Sequence, residues 1–549
     1  MLTSLSAVPP PGPPRRERKR ASNTLPVTRP LFLFRDPALS EHTRKITESQ
    51  WISSATNNAV ECEWTRSRLH KLRPDARTCP HDVYELCGGR ADTRVACTGS
   101  ALVFNSPTGL VILPGCRYDF STSYTSRSAR RRLRLFVVMR LMNKALLLAF
   151  ATTAVGATST VQPFQINLTS GVPHLQTLVK NTNLPTEPLY PDAGADFGLD
   201  LATLREWQTQ WLEGYDWATQ EAELNEFAQF TTTIGDQTVY FIHEKSQEQD
   251  AVPLLLVHGW PGSVLEFLPV IKPLTQSWTD PTTGKNISFN VVVPSIPGFL
   301  FSSLPPQNWT NVETAGLFNT LMTDVLGYSK YALHGNDWGG VVAYDMYESF
   351  NTSVRAASFA LIPFLPPSPQ DIADNNITLN ALENVTLQRS ETWLNEDQGY
   401  FQEHTYKPND IGLALSDNPV GQLAWIGTGL VRWSDPRAGT GPSTINSTTI
   451  LNIVSLCYLS GTFQSSVWQY ARNPNVWRTE YVKPATDAPM WYSAFEYNIF
   501  FWPQEYAAKV GNLIAYKEHD FGGHFAGIDN PPALIEDLRE MGIYFAANE

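Results

Sequence analysis

Cysteine is scarce where a cross-linked fold would need it. The chain holds 6 cysteines in 549 residues, and after Cys62, Cys79, Cys87, Cys97 and Cys116 only Cys457 follows. The early five show no Cys-x-x-Cys pair, which argues against a zinc site. One late cysteine can form no internal disulfide, so that part of the chain must be stabilised by a core. Apolar runs long enough for a membrane are missing as well. The run at residues 145–156 falls short of the roughly 20 residues that a transmembrane helix needs. No internal repeat is present, and 42% hydrophobic with 17% charged residues is ordinary globular composition. A disulfide-dense mini-protein, a collagen-like repeat and a mostly disordered chain are thereby excluded.

What is there divides sharply. The net charge of -12 hides 22 Lys and Arg against 11 Asp and Glu in residues 1–138, and 19 against 42 afterwards. The first part opens on prolines and the cluster Arg15-Arg16-Glu17-Arg18-Lys19-Arg20, and it ends near Arg130-Arg131-Arg132-Leu133-Arg134. With no sustained helical or alternating period between them, residues 1–138 are expected to be a disordered or non-native leader. Met139 and Arg140 then begin a short basic start, followed by the apolar run and by Val155 and Ala157 at the -3 and -1 positions of a cut. That layout predicts a signal peptide over 139–157, with translation starting at Met139 and secretion of the product. The sequons at Asn167, Asn286, Asn308, Asn351, Asn376, Asn384 and Asn446 all follow it, so a glycoprotein is expected. The acidic remainder argues against nucleic acid or anionic membrane as partners, and no stable span is expected in the mature form.

Residues 158–249 read as an extension rich in Trp and acidic residues, with Trp207, Trp211 and Trp217. Within it, strands at 230–234 and 238–244 flank Gly235 and Asp236 as a hairpin. From residue 252, apolar runs at 252–257, 289–293, 331–335, 356–362 and 512–516 alternate with helical stretches, which predicts an α/β fold with a mostly parallel central sheet. Thr310-Asn311-Val312-Glu313 is a capping-box match opening a helix with Leu317, Leu321 and Val325 on one face. The aromatic, helix-like stretch 366–485 interrupts the alternation as a lid. The core is therefore expected at 250–365 and 486–549, closing on a helix at 531–547.

Three motifs carry chemistry. The strand Tyr331–Gly335 ends in Gly335-Asn336-Asp337-Trp338-Gly339, and a helix pattern follows. This is the strand-turn-helix of a nucleophile elbow, with Asp where ester hydrolases carry Ser. An Asp is already an anion and attacks a saturated electrophilic carbon, such as that of an epoxide or haloalkane, to give an alkyl-enzyme ester. His258-Gly259-Trp260-Pro261-Gly262 follows another strand, and the loop there supplies one backbone N–H of an oxyanion hole. The residue after the nucleophile supplies the other, so Trp260 and Trp338 are the candidates. In the late loop Phe521-Gly522-Gly523-His524-Phe525-Ala526, His524 is the expected general base, ahead of nearby His519.

In combination HGWPGS, GNDWGG and GGHFAGIDNP resemble the microsomal-type epoxide hydrolases of the α/β-hydrolase fold. The resemblance covers residues 163–549 and none of 1–138, and 158–249 looks like the N-terminal extension of that family. It implies a helical lid carrying two tyrosines that hold the epoxide oxygen. Tyr400, in Gln398-Gly399-Tyr400-Phe401-Gln402-Glu403-His404, and Tyr470, in Ser465-Ser466-Val467-Trp468-Gln469-Tyr470, match them. It also implies an acid orienting His524. The matching position holds Asn498, which brings no charge, and Glu496 two residues earlier is the alternative acid; both stay open. A small-molecule epoxide substrate, no cofactor and no metal follow from the resemblance, and a homodimer is left open. Two further readings stand beside it: a haloalkane dehalogenase on the same scaffold, and a secreted non-catalytic binding protein.

Overall fold

The computed structural model describes residues 160–549, together with the backbone of three strands ahead of them. Those three, Arg94–Thr98 (β1), Ala101–Ser106 (β2) and Gly109–Pro114 (β3), pair antiparallel in sequence order. They lie where no regular element was expected. The sequence reason is visible in retrospect: two-residue gaps, Gly99-Ser100 and Pro107-Thr108, separate short runs rich in Val, Leu and Ile. The signal segment at 139–157 lies outside the described residues.

The main sheet is built from Gln162–Phe164 (β4), Gln229–Ile234 (β5), Gln237–Glu244 (β6) and Val252–Val257 (β7), then, past a ribbon of Trp278–Thr279 (β8) and Asn286–Ile287 (β9), from five later strands. These are Phe289–Pro294 (β10), Tyr331–Gly335 (β11), Val354–Phe359 (β12), Pro489–Tyr497 (β13) and Asn512–Gly523 (β14). The order is β14-β13-β12-β11-β7-β10-β6-β5-β4. From β14 to β10 every neighbouring pair is parallel, and β6, β5 and β4 add on antiparallel. Parallel strands are covered on both faces and so read as continuous apolar runs, as β11 does with all of its residues buried. The β5–β6 hairpin turns at Gly235, whose φ of 59° suits glycine.

Several boundaries differ from the sequence expectation, each for a physical reason. β14 continues to Gly523 instead of stopping at 516, because Lys517, Glu518 and His519 pair with Ser493, Ala494 and Phe495 at the sheet edge. Their polarity hid that half of the strand. β12 runs 354–359 rather than 356–362, with Val354 already paired to Tyr331. β13 has no counterpart among the runs expected as strands, and it is buried over most of its length.

Helices Asp337–Ser349, Asn311–Thr320 and Pro531–Asn548 flank the sheet, the second with both hydrogen bonds of the Thr310–Glu313 capping box. Between β12 and β13 the chain forms helices Pro369–Asp374, Ala381–Thr392, Gly399–Tyr406, Pro408–Leu415, Pro419–Arg432, Ser447–Leu459 and Phe463–Arg472. The N-terminal helices Val172–Asn181, Leu201–Glu213 and Trp217–Leu224 pack against this group. The Trp211 indole N–H donates to Ser455 Oγ at 3.0 Å and the Tyr215 hydroxyl to Asn452 Oδ1 at 2.8 Å. Gly427 leaves room for Trp207, since a Cβ there would lie 2.7 Å from the indole ring.

Candidate active site

The elbow forms because its neighbours leave no space for side chains. A Cβ on Gly339 would lie 1.9 Å from the Val257 carbonyl oxygen, and one on Gly340 would lie 2.4 Å from that of Leu361. One on Gly335 would lie 2.3 Å from the Gly339 carbonyl oxygen. Close backbone approach thus bends the chain sharply between β11 and the next helix. Asp337 takes the consequence in its backbone, with φ 53°. A non-glycine residue in that left-handed region stores on the order of 1–3 kcal/mol, held by the surrounding structure. The side chain projects beyond the C-terminal edge of the sheet, where doubly wound sheets place their ligands.

The loop after β7 meets it from one side. The Trp260 backbone N–H donates to Asp337 Oδ1 at 2.7 Å. Gly259 must be glycine, because a Cβ would fall 2.1 Å from the same oxygen. His258 serves this loop rather than the chemistry. Its Nδ1 donates to the Gly259 carbonyl at 3.0 Å, its Nε2 accepts from the Ile296 N–H at 3.2 Å, and burial pulls its pKa down to about 4. Trp338 stands in the first turn of the helix begun by Asp337, where backbone N–H groups have no partner within the helix.

From the other side comes His524, completely buried in the loop after β14. Its Nε2 lies 3.1 Å from Asp337 Oδ2, and its Nδ1 donates to Asn498 Oδ1 at 2.9 Å. Two bonds to the His524 backbone hold the loop: its N–H donates to the Trp433 carbonyl at 2.7 Å, and the Asn336 side-chain amide donates to its carbonyl. Of the two acid candidates, then, Asn498 faces the imidazole and Glu496 does not. Glu496 points toward Arg437, at 3.9 Å, and burial raises its pKa. β13 ends at Tyr497 with an irregular register after Phe495, and Asn498 turns back to bond the Phe495 carbonyl, so positions 496 and 498 do not share a strand face.

The orientation of the Asn498 amide is fixed by its other contacts. Nδ2 donates to the Ala360 carbonyl at 2.8 Å, and Oδ1 accepts from the Ile499 N–H at 2.7 Å. A carbonyl can only accept and an N–H can only donate, so the oxygen is the atom facing His524. Asn498 therefore holds the proton on Nδ1 and leaves Nε2 turned toward Asp337, without adding negative charge.

Tyr400 and Tyr470 close the site from above, on helices Gly399–Tyr406 and Phe463–Arg472, with ring centroids 5.9 Å apart. Tyr470 is buried and its hydroxyl has no hydrogen-bond partner among the described residues, although the Trp338 indole and the Tyr400 hydroxyl adjoin it. Tyr400 is half-buried as a residue while its phenol end lies deep. Burial first, and the Asp337 charge second for Tyr400, hold both phenols well above their ordinary pKa of 10, so both remain protonated donors. Below them lies a narrow cavity of about 20 Å³, lined by Asp337 and by the largely apolar side chains of Trp393, Phe401, Trp477, Phe500, Val341 and Leu361. No group of three or more His, Cys, Asp or Glu among the described residues is placed to hold a metal.

Four neighbours of the site escaped the sequence reading. Trp433 sets its ring 5.8 Å from that of His524. His404 accepts from the Trp425 indole at 3.0 Å and packs 4.7 Å from the Tyr470 ring, with burial driving its pKa down to about 3. Asn336 and Glu266 lie beneath the nucleophile. Only Glu266 had a signal in the sequence, as a lone acid in the apolar stretch Val264-Leu265-Glu266-Phe267.

The wider comparisons agree with this architecture. A family model described as the epoxide hydrolase N terminus matches residues 161–267, and one for the alpha/beta hydrolase fold matches residues 252–397. A Stigmatella aurantiaca protein provisionally named an epoxide hydrolase is 34% identical over 62% of this chain and 76% of its own. One from Dothistroma septosporum, named in the same way, is 30% identical over 71% of this chain and 91% of its own. The solved structure of the Aspergillus niger epoxide hydrolase superposes with a TM-score of 0.59 at 31% identity, over 70% of this chain and 96% of that one. The fold and the elbow define an α/β-hydrolase. Within that class, the chain belongs to the epoxide hydrolases.

Proposed function

We propose that this epoxide hydrolase forms a vicinal diol in two steps, with the residues above in named roles. A carboxylate oxygen of Asp337 attacks an epoxide carbon, the C–O bond opens, and a proton from Tyr400 or Tyr470 meets the developing alkoxide. A phenol whose pKa is held high stays protonated until that moment and is a fitting acid for an alkoxide. The His524 Nε2 then takes a proton from water, which attacks the ester carbonyl. The Trp260 and Trp338 N–H groups receive the oxyanion, collapse releases the diol with the proton returned from His524, and the proton left on the regenerated Asp337 carboxyl passes back to the tyrosine phenolate. Every step uses groups of the chain itself.

The observation that carries this reading is the Asp337 carboxylate on its strained elbow, held at one oxygen by the Trp260 N–H and approached at the other by His524. Single turnover in heavy-oxygen water tests it. The diol should carry no label and Asp337 should acquire it. Label in the diol would mean direct attack by water and would overturn the ester.

The same reading places the enzyme in the secretory pathway, made from Met139 and N-glycosylated. All seven sequon asparagines, Asn167 to Asn446, are exposed, which supports that part. Among the described residues no helix is long and apolar enough to cross a membrane. Native protein with an N-terminus upstream of Met139, or with unmodified sequons, would remove it. Homodimer assembly belongs with this reading and is measured by sedimentation.

A further inference from the structure

Glu496, turned away from the imidazole, faces Arg437, and Arg437 belongs to a cluster that surrounds the His524 loop. Residues 433–446, between lid helices Pro419–Arg432 and Ser447–Leu459, run beside that loop. The Trp433 carbonyl takes the His524 N–H, and Gly523 must be glycine, because a Cβ there would lie 2.4 Å from the same oxygen. Two residues on, Asp435 buries its side chain completely. Its Oδ2 accepts the Gly522 N–H at 2.9 Å, ahead of the base. Its own N–H donates at 2.7 Å to Oδ2 of Asp529, in the short helix Ala526–Asp529 that follows the base. Ser443 and Thr444 repeat that second tie, the hydroxyl to Asp529 Oδ1 at 2.9 Å and the Thr444 N–H to the Ile528 carbonyl at 2.8 Å. The lid thus holds the chain on both sides of His524.

Arg437 fixes Asp435 in this position. Its Nε and its backbone N–H donate to Asp435 Oδ1 at 2.8 and 2.7 Å, and its Nη2 donates to Oδ2 at 2.6 Å. A forked, charge-assisted pair of this kind is among the strongest hydrogen-bond geometries. Burial alone would raise the Asp435 pKa, but the Arg437 guanidinium and the Gly522 and Arg437 N–H groups hold it below the usual carboxylate range, so the charge persists. The guanidinium also reaches two strand ends. Nη2 donates to the Asp520 carbonyl at 2.5 Å, and the guanidinium carbon lies 4.5 Å from the Phe521 ring and 5.5 Å from that of Tyr497. Glu496 Oε2 is 3.9 Å away. Asp520 and Phe521 lie near the end of β14, ahead of His524, while Glu496 and Tyr497 end β13, ahead of Asn498. One ion pair therefore braces the strand ends that carry both partners of the His524–Asn498 hydrogen bond.

We propose that Asp435 is a positioning residue for the base: with Arg437 it clasps the lid to the ends of β13 and β14, and so sets the His524 imidazole against Asn498 and Asp337. Glu496 belongs to this clasp as an outer partner of Arg437. The inference rests on the reading of Asp337 and His524 given above. In that reading the base acts only after the nucleophile has reacted, so the clasp governs decay of the ester far more than its formation. Ester formation draws on the Asp337 carboxylate and the two phenols, which stand on the elbow and on other lid helices. A reacting group displaced by about 1 Å loses on the order of 100-fold in rate, which sets the scale of the effect.

Single-turnover measurements on one epoxide separate the two steps, by the mass of the ester on Asp337 and by diol release, for the full chain, Asp435→Asn and Arg437→Gln. Asn has the size of Asp, yet whichever way it turns, its NH2 meets N–H donors. Asp435→Asn should slow ester decay roughly 10- to 100-fold with ester formation held within about 3-fold, so that kcat and KM fall together while kcat/KM holds. Arg437→Gln should act in the same sense, by roughly 3- to 10-fold. Hydrogen exchange gives a reading independent of turnover: in both variants the segment 520–526 should exchange faster, with the helix Asn311–Thr320 unchanged. Equal slowing of both steps, as general loosening would give, overturns the proposal, and so does unchanged ester decay. Should Asp435→Asn fail to fold, Arg437→Gln, whose side chain is half-exposed, is judged on the same readings. If the unmodified chain forms no ester with any epoxide, the functional reading falls instead, and exchange over 520–526 judges the clasp separately: no change there is equally fatal.

Discussion

The floor and the roof of the site are built by different physics. The floor, on the sheet, is defined by backbone: Gly335, Gly339 and Gly340 allow main chains to touch, and Asp337 is thrust outward in a left-handed conformation. The roof is defined by side chains. Tyr400 and Tyr470 are held in a cluster of rings with Trp260, His404 and Trp433, without a backbone device of comparable strictness. A backbone-defined site tolerates almost no substitution, whereas a packed one tolerates exchange of similar shapes. The floor should thus carry the reaction type and the roof the choice of substrate.

Substitutions can break or sharpen that contrast. The largest effect is expected at the floor: Asp337→Ala should lower diol formation by on the order of 10⁴-fold or more, since no other group can form the ester. A drop no larger than that of a roof variant would break the comparison. His524→Gln should leave the first step and block the second, slowing turnover roughly 10²- to 10⁴-fold while an ester on Asp337 accumulates and is seen by intact-mass measurement. Tyr470→Phe, at the roof, should cost roughly 10²-fold in kcat/KM, and Tyr400→Phe a comparable amount, because each leaves the other phenol as donor. Only the double variant should approach the loss of Asp337.

Asn498→Asp sharpens the comparison in the other direction. A carboxylate at 498 would add negative charge beside the imidazolium that forms during ester hydrolysis, so decay of the ester should speed up, by about 10-fold for one pKa unit of stabilisation. The same change deletes the donor to the Ala360 carbonyl, and denaturant unfolding should show a loss of about 1–3 kcal/mol for that buried acceptor. A faster enzyme of lower stability is the expected outcome. Slower ester decay would show that Asn498 is matched to this site in some further way.

Legibility followed the same divide. Strands β7 and β11, the Gly235 hairpin, the Thr310 capping box and the elbow were readable because each obeys a rule spanning only a few residues. The tyrosines were placed through resemblance alone, since in an aromatic segment nothing local separates a hydrogen-bond donor from a packing ring. The choice between Glu496 and Asn498 could not be read because it turns on where β13 ends, and that is decided by an irregular register with β14.

The ties from the N-terminal helices to the roof have a mechanical consequence. Trp211 and Tyr215 grip helix Ser447–Leu459 from outside, and that helix runs through residues 460–462 into the one bearing Tyr470. The roof is therefore a beam pinned at its far end by a part of the chain that lines none of the cavity. Loosening a pin at Trp211 would be felt as play in a phenol at the other end of the beam, and the rate at which the cavity admits its guest becomes a property of the extension.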